Sequence, residues 1–132
     1  MNVTKQICMH AQNRRNDLAL ITENECLDWM SFNAKVNAAA NVLLSSGVLP
    51  KQRIAISVTD QLLHLFFSLG LARLGATQIA LPPVDPVSTR AAIASKLGLS
   101  AVIVEDPREG LVGLKAITVD TKQLNNTPVN LD

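Results

Sequence analysis

The order of hydrophobic runs between residues 53 and 120 constrains this chain more than any other feature. After its arginine, "RIAISV" is a continuous apolar run of β-branched character, the pattern of a strand covered on both faces. "QLLHLFFSLGLARLG" is too long for a strand, is apolar almost all round and ends in glycine. It predicts a helix sandwiched between other elements, capped by Asp60 or Thr59 and stopped at Gly75. "TQIALP" reads as a second strand. Asp85-Pro86 then offers a cap and a first-turn proline for "VSTRAAIASKLG", closed by Gly98. "SAVIVED" is the third strand, "REGLVG" a loop and "LKAITVD" a fourth strand. Strands alternating with helices of about ten or more residues imply a parallel sheet with right-handed crossovers.

Upstream, "TKQICMHAQNR" predicts a short leading helix with Thr4 as its cap. "DLALIT" and "CLDW" flank the polar turn "ENE" and predict a β-hairpin. Ser31 is placed as the N-cap of the next helix. Phe32, Val36, Ala39, Ala40, Leu43 and Leu44 recur along that helix at helical spacing, and Gly47 ends it. The expected fold is α/β: three layers, a mainly parallel sheet with helices on both faces, and an N-terminal β-hairpin. Residues 1–132 read as one domain, with a polar tail over 120–132.

Composition narrows the function. The chain is 48% hydrophobic and 17% charged, with a mean hydropathy of +0.22, which is apolar for a domain of this size. Either the sheet is covered on both faces, or part of the surface is normally buried against something else. The second alternative predicts self-association, as a homodimer or larger. A net charge of +1, with Arg14-Arg15 as the only adjacent basic pair, argues against nucleic acid. The longest apolar run, "LLHLFFSLGLA", is shorter than the roughly 20 residues of a membrane helix. Cys8 and Cys26 are far apart and no secretion signal precedes them, so reduced thiols and a cytoplasmic location are expected.

The residues that carry chemistry are sparse. The two histidines and two cysteines have no metal-ligand spacing. His64 reads as a core or pocket-edge histidine and is the candidate for a substrate contact; His10 reads as solvated. No nucleophile stands beside a base, so no catalytic residue is assigned. The acidic pairs Glu23/Glu25 and Glu105/Asp106 read as turn residues, although the second lies at the carboxyl end of a strand, where open α/β sheets bind ligands. Phosphate cradling needs glycine at a helix N-terminus, and none of the six glycines opens a helix after a strand.

The stretch from "DLALIT" to "IALPP" resembles the opening of the adenylate-forming enzymes: acyl-CoA synthetases, peptide-synthetase adenylation domains and luciferases. The resemblance rests on Trp29, Ser31, Gly47-Val48, Arg53-Ile54-Ala55-Ile56, Arg73-Leu74-Gly75-Ala76 and Leu81-Pro82-Pro83, taken in order. "LGLSAVIVED" looks like the family's third strand, and the match spans about residues 17–106. Lys51-Gln52 departs from it, standing where the family commonly has Gly-Asp. Arg73 falls in the family's "R-x-GA" pattern and reads as structural, complementing the last carbonyls of its helix.

The resemblance implies the N-terminal subdomain of a longer ligase that activates a carboxylate with ATP and Mg²⁺ and passes it to CoA or a carrier thiol. The phosphate loop, adenine and ribose contacts and catalytic lysine of that family are expected in the remainder of the chain. This portion alone is therefore expected to be inactive. Arg90 is the candidate for a CoA-phosphate contact; its plainer reading is a solvated helix face. The alternatives are a non-enzymatic α/β module acting through self-association or a partner, and a flavodoxin-like binder. Val58-Thr59-Asp60 supplies no phosphate-binding first loop for the latter.

Overall fold

A computed structural model describes residues 3–125. The leading helix α1 (Val3–Asn13) is followed by an antiparallel hairpin, β1 (Leu18–Ile21) and β2 (Cys26–Asp28). Then come α2 (Trp29–Ser45), β3 (Arg53–Ser57), α3 (Gln61–Leu74), β4 (Thr77–Ala80), α4 (Val87–Leu97), β5 (Ala101–Val104) and β6 (Lys115–Thr118). Strands β3 to β6 form one parallel sheet in the order β4-β3-β5-β6. The expected α/β architecture with its hairpin is therefore present.

The three layers follow from the strand period of two. Ile54, Ile56, Ile103 and Ile117 face one way and pack with Phe32, Val36 and Leu43 of α2 and with Leu63, Phe66, Phe67 and Leu71 of α3. Ala55, Val102 and Val104 face the other way, toward Ile93, Ala94 and Leu97 of α4. Phe66 and Phe67 are wholly buried, each stabilising the fold by about 2–3 kcal/mol. The α2–α3 contact is close because Gly70 lets α3 approach the backbone of Ala39 and Ala40. The α4 side is thinner: Arg90 is the only fully buried residue of that helix.

Three caps differ from expectation. The hairpin runs straight into α2, so the helix starts at Trp29 and Asp28 caps it, accepting the Ser31 N–H at 2.8 Å. Ser31 is thus inside the first turn. Thr4 lies within α1 and is buried, so it is not a cap. Pro86, not Asp85, occupies the cap position of α4, and no side chain caps it there. Leu44, expected on the buried face of α2, is half exposed because it falls on the far side of the stripe. The tail is only partly as expected. Thr121–Asn125 forms a 3-10 turn whose Leu124 is buried, while 126–132 lies outside the described residues.

Candidate functional site

A parallel sheet gathers its βα loops at the carboxyl edge. Here the chain leaves β3 toward β4 and leaves β5 toward β6, in opposite directions along the sheet. The crevice between neighbours β3 and β5 is therefore the switch point where open α/β sheets take ligands. It is bridged by the protein itself. The Thr59 backbone N–H and hydroxyl both donate to Glu105 Oε1, at 2.5 and 2.9 Å. Asp60 accepts the Leu63 N–H and caps α3, as expected. Asp106 accepts from the Arg108 side chain and N–H, and those hydrogen bonds hold its carboxyl below the ordinary range. The Glu105/Asp106 pair thus fastens loops, consistent with its turn reading.

Arg90 departs from its reading as a solvated helix face. It is neither solvated nor turned outward: it is 4% exposed. Its Nε donates to the Asp85 carbonyl at 3.1 Å and its Nη1 to the Glu109 carbonyl at 3.2 Å, with a longer contact to Ser57 Oγ at 3.5 Å. Arg90, Ile93, Ala94 and Leu97 lie at helical spacing on one face, and that stripe was the sequence signal for its burial.

His64 is half-buried in the first turn of α3, on the opposite face of the sheet from α4. Among the described residues its ring makes no hydrogen bond, and no contact joins it to Arg90. Arg73 is structural, but not as a helix-end partner. Its guanidinium crosses to Asn37 Oδ1, to Asn33 Oδ1 at 3.0 Å and to the Thr4 carbonyl at 3.2 Å, tying α3 to α1 and α2.

Among the described residues no group of three or more His, Cys, Asp or Glu could hold a metal ion. Of the glycines, Gly75 and Gly98 close helices in left-handed conformation, and none opens one.

Comparison with known proteins decides the relationship. A family model described as "AMP-binding enzyme" matches residues 8–130. The chain belongs to the AMP-binding enzyme family. It is 26% identical over 113 residues to a linear gramicidin synthase of Brevibacillus parabrevis, covering 81% of this chain and 2% of the synthase. The N-terminal subdomain of Klebsiella oxytoca NpsA, solved with anthranilyl-AMSN, superposes with a TM-score of 0.83 at 18% identity. That match covers 98% of this chain and 34% of the subdomain chain. The N-terminal domain of FACL13 from Mycobacterium tuberculosis superposes with a TM-score of 0.78 at 19% identity, over 99% of this chain and 36% of that one. At these identities the superpositions show the fold, that of the family's N-terminal subdomain. The chain spans only a small part of each relative. Arg73, in the stretch Arg73-Leu74-Gly75-Ala76 on which the resemblance rested, joins three helices.

Proposed function

We propose that this AMP-binding chain is the N-terminal part of an ATP-dependent ligase that forms an acyl adenylate and then a thioester with CoA or a carrier thiol. The observation that carries the reading is the family match across residues 8–130. The bridged switch point and the absence of a glycine-opened helix among the described residues support a scaffolding role for this portion. ATP and Mg²⁺ would be held by the remainder of the ligase chain, and a CoA-phosphate contact through Arg90 is not supported by its buried bonding. A cytoplasmic setting accords with the free thiols of Cys8 and Cys26. Neither a nucleic acid nor a membrane is a partner in this reading. The net charge is +1, and no helix of the described residues is long and apolar enough to cross a membrane.

The test is ATP–pyrophosphate exchange with a panel of carboxylic acids. The 132-residue chain should give none, and the chain joined to its downstream coding sequence should give carboxylate-dependent exchange. Exchange by the short chain would refute the scaffold role; none from the long one would refute the ligase.

A second reading, a module acting through self-association, draws on β4, an edge strand with Thr77, Gln78 and Ala80 exposed, and on exposed Val84, Val87 and Val112. It expects a homodimer or larger species. Light scattering that gives a monomer at every concentration would count against it.

A further inference from the structure

We propose that Arg90 is a positioning residue, one that sets the mutual geometry of the loops at the ligand-side edge of the sheet. The proposal rests on the ligase reading for its consequence in activity, and on the geometry alone for its consequence in structure. Three segments far apart in sequence end at this guanidinium. Asp85 belongs to the loop after β4, Ser57 closes β3, and Glu109 belongs to the turn after β5.

The partners define what Arg90 does. None of the three is a carboxylate oxygen: two are backbone carbonyls and one is a hydroxyl. Among the described residues no ion pair involves Arg90. Surface salt-bridging would use a carboxylate and leave the head in water. This head is withdrawn from water and has exchanged its hydration for bonds to the carbonyls of two half-buried loop residues. A planar fork with donors fixed in direction fits separated acceptors, whereas an ammonium offers one point. Arg90 also stands one turn from the uncapped start of α4 and bonds back to the Asp85 carbonyl just before it. With Glu105 holding the β3 loop to β5 from the other side, the loops of all three strands are laced together. Loops so held present a fixed rim to whatever the rest of the ligase binds.

Two variants, Arg90→Gln and Arg90→Lys, test this by amide hydrogen exchange on the 132-residue chain. Exchange at the amides of 57–60, Asp85, Glu109 and Gly110 should rise about tenfold or more, while α2 and α3 keep their protection. Lysine should not rescue. Unchanged loops, a rise spread evenly over α3, or full rescue by lysine would overturn the proposal. If Arg90→Gln does not fold, Arg90→Lys decides alone.

In the full-length chain, with active sites counted by the burst of adenylate, kcat for exchange should fall up to about a hundredfold. KM for ATP should stay within about twofold, since the loops are displaced and no ATP contact is removed. Wild-type kcat in both variants would overturn the positioning role. A full-length wild type with no exchange would refute the ligase reading, and hydrogen exchange would then judge Arg90 by itself.

Discussion

Thr59 and Glu105, forty-six positions apart, share one oxygen: the threonine's amide and hydroxyl both donate to Glu105 Oε1. The bridge spans β3 and β5 where their connections diverge, so it locks the switch point of the sheet. A carboxylate accepting two hydrogen bonds at a partly exposed site stabilises by about 1 kcal/mol. Glu105→Ala should lower the urea midpoint accordingly and release the Thr59 amide to exchange. Glu105→Gln, which keeps one carbonyl oxygen, should recover part of both. An unchanged Thr59 amide in Glu105→Ala would show that the bridge does not hold the loop.

Gly70 should resist substitution although it sits in a helix, where alanine is favoured by about 1 kcal/mol. A Cβ there would stand 3.0 Å from Ala40 N and 3.2 Å from Ala39 C. Those are backbone atoms of α2 and cannot swing aside. Gly70→Ala should therefore destabilise by about 1–3 kcal/mol net, and Gly70→Val by more. Equilibrium urea unfolding measures it, and a stabilised Gly70→Ala would sink the close-approach argument.

Arg73 reaches α1 and α2 from α3, so its loss should loosen the N-terminal helix first. Arg73→Met keeps the apolar stem and removes the donors to Asn33, Asn37 and the Thr4 carbonyl. The expected cost is about 2–3 kcal/mol. Limited proteolysis should then cut within residues 3–13 before it cuts α3. Simultaneous cutting of both would mean that α1 is not held by this contact.

Legibility in the sequence divided along a physical line. Properties of a single segment were readable. The apolar runs gave β3 and β5, the 3.6-residue spacing gave α2, and the glycines that end α3 and α4 stand in left-handed conformation as their positions required. Local competition between neighbours was harder. Asp28 and Ser31 are both good caps three residues apart, and only the hairpin's length decided that α2 starts at the first. Pairings across the fold were not readable at all. Nothing local distinguishes Glu105 as a partner of Thr59 from an acid in a turn. Arg90 looked like surface because its helix is mixed in polarity, although its stripe with Ile93, Ala94 and Leu97 pointed inward. The crossing from β5 to β6 also carries only a 3-10 turn, Pro107–Glu109, where a parallel connection usually has a helix.

Asp28 makes the start of α2 pH-dependent. The Ser31 N–H, and secondarily its hydroxyl side chain, favour the ionised carboxylate and hold its pKa below the ordinary 3.8. A carboxyl whose folded pKa is depressed contributes stability that is complete above its unfolded value and is lost as pH falls through the folded one. The difference in melting temperature between wild type and Asp28→Ala should therefore be constant from neutral pH to about pH 5. It should shrink below about pH 4, as the carboxylate takes up its proton. Asp28→Asn separates charge from capping. Asparagine caps about as well as aspartate but does not titrate, so its difference from alanine should persist in acid. Thermal melts of the three proteins between pH 7 and 2.5 read both trends. A wild-type-to-alanine difference that stays flat to the acid end would mean that ionised Asp28 does not support the helix.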